Sequence, residues 1–219
     1  MTASNDGNLL CLKDVSKYYT SGQSVVMGLN GISLSFRKGE FVAVTGESGS
    51  GKSTLAKVMA GILSYEAGGM TVNGRPTSHY GHADWERYRC DAVSFISQSY
   101  DILPGCTVLK NVVSALVLTG MERKQAAEKA EEILRQVELY DEKNRRAAKL
   151  SSGQKQRLSI ARALAKPAPV LIADEPTGSV KLVQHYPKEI PVILFSLSMR
   201  ISEITDRHSV RFSSRVSDS

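Results

Sequence analysis

Two short stretches hold residues whose types and spacing suit phosphate chemistry. Gly46 to Thr54 reads GESGSGKST, which satisfies GxxxxGK[ST], with the apolar run FVAVTG leading into it and LAKVMAG continuing at helical spacing. Such a loop works through its backbone. Amide N–H groups and the N-terminus of the following helix converge on phosphate oxygens, and Gly46, Gly49 and Gly51 let the chain turn and approach closely. Glu47, Ser48, Ser50 and Thr54 complete the loop, Lys52 is expected to reach the β- and γ-phosphates, and Ser53 to ligate Mg²⁺. The second stretch is VLIADE, in which four apolar residues deliver Asp174 and Glu175 to a strand end. Asp174 would hold the magnesium through water, and Glu175 could polarise an attacking water. The two stretches together specify a nucleotide hydrolase or kinase and no more.

Several elements must position these groups. LLCLKDVSKYY and VVMGLNGISLSF alternate apolar and polar residues around the turn-like TSGQ, as antiparallel strands do. FVAVTG reads as a buried strand, and the helix after the phosphate loop stops at Gly61. MTVNG is a strand with an Asn-Gly turn, and VSFISQ is a further buried run. Ala126, Ala130, Ile133, Leu134 and Val137 recur at helical spacing between Met121 and Tyr140 on an otherwise charged sequence. A second helix is expected just after LSSGQ, with Leu158, Ala161, Leu164 and Ala165 on its inner face and an end before Pro167. Alternation of strand and helix through the middle points to a parallel sheet with covered faces.

Composition narrows the classes. A chain of 219 residues suits one full-sized domain, and 42% hydrophobic with 23% charged residues is ordinary for a folded globular protein. MTASNDGNLL has neither a basic nor an apolar region of a secretory signal. No stretch approaches the roughly 18 uncharged apolar residues of a membrane span. Cys11, Cys90 and Cys106 are odd in number and lack CxxC spacing, which argues against disulfides and zinc and fits a reducing cytoplasm. The net charge of +6 is spread along the chain without a basic run, so no nucleic-acid partner is expected. His79 and His82 read as part of a solvated loop, since no Cys or carboxylate cluster accompanies them, and Trp85 as packing.

The decisive element is LSSGQKQR, Leu150 to Arg157. With Gln98 and the spacing of the other motifs, it closely resembles the signature of the ATP-binding subunits of ABC transporters, and the likeness runs from about Leu9 to Gly178. The resemblance implies an α/β fold: a P-loop core of mostly parallel sheet with helices on both faces, an N-terminal antiparallel β subdomain and a helical subdomain inserted around residues 100–160. It further implies two subunits facing head to tail, as a homodimer or heterodimer, with MgATP clamped between the phosphate loop of one and the signature of the other. By carry-over, Ser151, Gly153 and Gln154 contact the partner's nucleotide. An anion at a helix N-terminus gives that assignment a physical basis. Ser152 stands where the family more often has glycine. Gln98 matches the glutamine that contacts magnesium and links to the membrane partner, and Tyr19 is similar to the aromatic that stacks on adenine. Strand alternation allows only one of Tyr18 and Tyr19 on the nucleotide side. The partner implied is an integral-membrane permease holding the subunit at the inner face of the cell membrane. KYYTSGQSVVMGLNGISL and QSYDILPGCTVLKNV look most like subunits of macrolide, lipoprotein and antimicrobial-peptide exporters.

The likeness fails after residues 1–178. All 17 glycines lie before residue 179, and residues 179–219 contain no alanine and nine serines. Ser179, Val180 and Lys181 replace the family's Leu-Asp, and Leu197 takes the place of a γ-phosphate-contacting histidine if PVILFSLS is the final strand. Pro187 and Pro191 restrict any helix in the crossover, so only a cramped return to a parallel strand is expected. A shifted coding frame, a decayed remnant and a naturally degenerate subunit each account for such a tail. Two further readings of the whole chain stay open at this point: an ATP-binding module deficient in hydrolysis, and a soluble P-loop kinase.

Overall fold

The computed structural model describes residues 8–22, 24–166, 168–175, 192–196 and 209–211. Ser179, Val180, Lys181, Pro187, Pro191 and Leu197 lie outside the described residues.

Strands β1 (Asn8–Ser21) and β2 (Ser24–Arg37) form the antiparallel ribbon expected around TSGQ, closing at the Ser21–Ser24 pair. β3 (Phe41–Thr45) then leaves for a second sheet and runs through the phosphate loop into α1 (Lys52–Met59). Helix α1 ends where the sequence places its stop: Gly61 has φ +66°, and Ile62 N–H returns to Lys57 O at 2.9 Å, satisfying a carbonyl of the last turn. β4 (Ala67–Val72) pairs with β1, and Asn73 and Gly74, both left-handed, turn it into the short β5 (Arg75–Pro76). The first sheet therefore has the order β2-β1-β4-β5.

Helix α2 (His82–Arg87) and one π-helical turn lead to β6 (Val93–Ile96). Here Trp85 lies edge-on between Tyr80 and Tyr88, with ring centroids at 5.1 and 5.6 Å, and the buried Tyr88 hydroxyl donates to Met59 O at 2.6 Å. Trp85 is thus a packing residue. Three longer helices follow: α3 (Val108–Leu118), α4 (Arg123–Gln136) and α5 (Ser152–Leu164). Helix α4 buries Ala126, Ala130, Ile133 and Leu134 on one face, as its spacing predicts. Helix α5 begins inside LSSGQ and not after it, because Ser151 and Gln154 cap each other there. On α5, Leu158, Ala161 and Ala165 are buried while Leu164 is half-buried.

β7 (Val170–Asp174) and β8 (Val192–Ser196) complete the second sheet with the short β9 (Ser209–Arg211) at its edge. Its order is β6-β7-β8-β3-β9, and every pairing is parallel. VILF is therefore a real central strand, seated between the carboxylate strand and the strand that enters the phosphate loop.

Alternation along these strands divides the interior in two. Leu171, Ala173, Val192 and Leu194 face α3, α4 and α5, whereas Val170, Ile172, Ile193 and Phe195 face α1 and the first sheet. Both faces are covered, as apolar parallel strands require. Among the described residues no helix is long and apolar enough to cross a membrane.

Candidate functional site

The phosphate loop is shaped by its own contacts. Ser50 N–H bonds to Glu47 O at 3.2 Å, and the buried Lys52 ammonium donates to Gly46 O (2.8 Å), Glu47 O (2.7 Å) and Ser50 Oγ (3.3 Å). All three ammonium donors are used within the loop. Gly51, the residue capping α1, has φ +87°, and a Cβ there would stand 2.4 Å from Gly28 O. Only glycine fits, on both conformational and steric grounds. The first turn of α1 points into a cleft of ≈ 350 Å³ lined by Ser48, Gly49, Gly51, Lys52, Ser53, Thr54, Gln98, Glu175, Tyr19, Val26, Met27 and Gly28.

Sheet order brings the acidic strand to this cleft. Asp174 closes β7 almost wholly buried and accepts a hydrogen bond from Ser53 Oγ at 3.0 Å, joining residues 121 positions apart. Burial raises the Asp174 pKa, partly offset by the Ser53 hydrogen bond and by the charges of Lys57 and Lys52. A desolvated carboxylate beside a serine hydroxyl, with Gln98 on the same cleft lining as that serine, offers hard oxygen donors, which suits Mg²⁺ held by few protein ligands and by substrate phosphates. Of the two histidines expected in a solvated loop, His79 lies in a turn, whereas His82 is the first residue of α2, its Nδ1 3.6 Å from Glu86 Oε1 one helical turn on. Glu175, half-buried, has φ +52° and is held there by its N–H bonding to Phe195 O of β8 at 2.8 Å. That turn carries its carboxylate to the cleft, on the same lining as Gln98.

At the other end of the cleft, Tyr19 is 40% exposed and its hydroxyl lies 3.1 Å from Thr54 Oγ1. Its ring rests against Gly28, where a Cβ would come within 2.6 Å of Cε2. Tyr18 is not among the lining residues, and its N–H bonds to Glu66 Oε2 at 2.8 Å. Val26 and Met27 were not foreseen as lining residues. The hairpin register pairs Tyr19 with Val26, so counting back from the TSGQ turn points to Val26, but it pairs Met27 with Tyr18 and so gives no sign of Met27.

Ser151, Gly153 and Gln154 stand apart. None lines the cleft. Ser151 caps α5, accepting from Gln154 N–H at 3.3 Å, and Gln154 Oε1 accepts from Ser151 N–H at 3.0 Å. Ser151, Ser152 and Gly153 are exposed, so this capped helix N-terminus lies at the surface.

A glycine-rich loop between a buried parallel strand and a helix, with an acid-bearing strand two places along the same sheet, defines a P-loop nucleoside-triphosphatase fold of the α/β class. The chain belongs to the ABC transporter family, whose family model matches residues 29–178. It is 41% identical over 192 residues to the macrolide export ATP-binding/permease protein MacB of Shigella flexneri, covering 88% of this chain and 29% of that one. It is 39% identical over 152 residues to the ABC transporter ATP-binding protein YtrE of Bacillus subtilis, covering 69% of this chain and 66% of that one. The chain thus spans less than a third of the MacB relative and about two thirds of YtrE. Among solved structures, the dimeric ATP-binding cassette MJ0796 in a post-hydrolysis state bound to ADP and Pi superimposes with a TM-score of 0.81 at 28% identity. That match covers 86% of this chain and 88% of the other. The chain carries an ABC ATP-binding region homologous to that of MacB-type exporters, in a family whose members generally hydrolyse ATP. The kinase and hydrolysis-deficient readings gain no support.

Proposed function

We propose that this chain binds MgATP in the cleft, pairs with a second ATP-binding subunit around two nucleotides, hydrolyses ATP and so drives a permease that exports peptides, lipoproteins or drugs. The observation that carries the reading is the Ser53–Asp174 contact: the two metal-ligating candidates, far apart in sequence, meet at 3.0 Å at the mouth of the phosphate loop. Lys52 exchanges its loop carbonyls for phosphate oxygens, the loop amides and α1 hold the phosphates, and Tyr19 offers a flat face to the base. Ser53 and Asp174, together with Gln98 on the cleft lining, would hold Mg²⁺, which would supply neutralisation of phosphate charge. Glu175 orients and polarises the attacking water.

The second subunit is required because the helix N-terminus at Ser151 and Gly153 lies off the cleft lining of its own chain. A facing copy can present that terminus to the γ-phosphate. The permease is assigned to an apolar groove of ≈ 270 Å³ lined by Ile62, Val93, Phe95, Ala115 and Leu118, in which Leu118 is 87% exposed. Tyr100 and Asp101, just beyond Gln98, form part of the same wall, so an occupant of the groove is felt at the cleft. Phosphate release from MgATP by the purified chain, with Lys52→Ala and Glu175→Gln variants, tests the reading. Turnover abolished by both substitutions supports it. Binding without turnover in the unsubstituted chain would refute hydrolysis.

A further inference from the structure

The segment between Gln98 and α3 has no regular secondary structure, and Tyr100 and Asp101 are consecutive left-handed residues at φ +70° and +45°. Such a segment needs side chains to satisfy its backbone. One residue does most of this. Asn111, in the first turn of α3 and fully buried, accepts from Leu103 N–H at 2.7 Å and donates to Leu103 O at 3.0 Å and Thr107 O at 2.9 Å. Its Oδ1 also accepts from Arg162 Nη1 at 3.2 Å. Both acceptor sites and both amide donors are thereby used. Arg162 sits on α5, the helix that Ser151 opens, and burial lowers its pKa against the opposing effect of Asp101. Three pieces of chain therefore converge on one amide: the segment that begins at Gln98, helix α3, and the helix bearing the signature.

We infer that Asn111 is a positioning residue for ATP turnover, holding the Gln98 segment and the signature helix in one fixed relation. It touches neither nucleotide nor metal; it acts through Leu103 and Arg162. A buried amide with every hydrogen-bonding position filled is a rigid joint, because shifting either segment leaves a desolvated donor or acceptor without its partner. A movement of Gln98 that reaches Leu103 is thus carried to Arg162 and along α5. A sequence reading has no reason to single out this asparagine within LKNVV, since its partners lie 8 residues before it and 51 after it. The role in turnover rests on the function proposed above; the mechanical coupling does not.

The experiment has two arms on the full chain. In the first, hydrogen exchange is followed in the nucleotide-free protein. Arg162→Met leaves Leu103 and Asn111 intact, yet exchange at the Leu103 amide is expected to quicken at least tenfold while Ile96 in β6 is unchanged. Equal exchange in both proteins overturns the coupling, whatever the ATPase activity. In the second, MgATP affinity and turnover are compared for Asn111→Leu, Arg162→Met and Val112→Ala. The last creates a cavity at a neighbouring, fully buried position of α3 and serves as a control for lost stability. The expected result is a dissociation constant within twofold of the unsubstituted chain for all three, with kcat lowered at least fivefold only in the first two. Equal losses in Val112→Ala at matched melting temperature overturn the positioning role. If Asn111→Leu fails to fold, Arg162→Met alone decides. A chain that shows no turnover at all refutes the proposed hydrolysis, and the exchange arm still decides the coupling.

Discussion

Gly153 offers the sharpest test of the two-chain site, since nothing in its own chain requires a glycine there. A Cβ built at Gly153 meets no atom within 4 Å, and its φ is not positive. It stands second in α5, after Ser152. Within one chain, Gly153→Ala should therefore be harmless or mildly helpful: glycine costs about 1 kcal/mol relative to alanine in a helix interior and less in the first turn. For a domain of this size that is a rise in Tm of about 0–4 °C. Turnover should move the other way. If the Gly153 amide donates to a γ-phosphate on the facing subunit, a methyl group that displaces it forfeits one hydrogen bond to a charged group. Such a bond is worth about 1.5–3 kcal/mol, or roughly 10- to 150-fold in rate. The assay pairs thermal melts with phosphate release, and adds MgATP-dependent dimerisation measured by sedimentation in a Glu175→Gln background. Ser151→Ala is a poorer probe, because it also breaks the reciprocal Ser151–Gln154 cap, at a cost of about 1 kcal/mol. Turnover and dimerisation equal to the unsubstituted chain would refute the placement of Gly153 against a partner's nucleotide. A large fall in Tm would point instead to a role inside the subunit.

Other perturbations separate the remaining parts of the site. Gly49→Ala and Gly51→Ala both force a left-handed residue, at about 1–2 kcal/mol, but only at Gly51 would the new Cβ strike the Gly28 carbonyl, at 2.4 Å. Calorimetry should show MgATP binding weakened less than about tenfold in the first and more than about a hundredfold in the second. Asp174→Asn keeps an acceptor for Ser53 and removes a buried charge. Because burial raises the folded carboxyl's pKa, the unfolded carboxyl ionises first, and the native chain loses stability as pH rises from the unfolded value through the folded one. The variant's Tm should thus exceed that of the unsubstituted chain at neutral pH, with the gap narrowing towards about pH 4, while magnesium-dependent nucleotide binding disappears. Tyr19→Phe removes only the Thr54 contact, a net effect of about 0.5–1.5 kcal/mol, whereas Tyr19→Ala loses stacking worth about 1–3 kcal/mol. Fluorescent-nucleotide titration should therefore rank Ala as the weaker binder.

What the sequence makes plain here is what depends on neighbours in the chain. The phosphate loop, the Asn73–Gly74 turn and the apolar face of α4 each follow from a local pattern, and each forms where that pattern lies. Sheet order itself is not legible. The motifs assign Ser53 and Asp174 to one magnesium, but no spacing in the sequence shows that β8 lies between β7 and β3 where the two residues meet. The start of α5 was misplaced by a few residues for a nearer reason. Serine and glycine in LSSGQ read as turn formers, but Ser151 and Gln154 stand at the two positions of a capping box, so the helix takes in the signature itself. Met27 is not legible, because an exposed apolar residue on a ribbon, paired with a tyrosine that does not line the cleft, carries no sign of what it will face.

The compositional break at residue 178 does not coincide with an edge of the fold, and β8 explains how both can be true. A central parallel strand asks for little: a short run apolar on both faces, with backbone groups free to pair on either side. VILF meets that demand. Val192 and Leu194 enter one half of the core, Ile193 and Phe195 enter the other, and the ladders run to β7 and to β3. No glycine, alanine or polar side chain is needed for any of this. The strand also reaches the chemistry through its backbone, since Phe195 O holds the Glu175 amide and with it the left-handed turn that presents the carboxylate. Closing the sheet and aiming Glu175 depend on burial and main-chain pairing, which the unusual tail retains. The Leu-Asp pair and the late histidine that the family resemblance leads one to expect are side-chain features, and the burial and pairing of β8 do not depend on them.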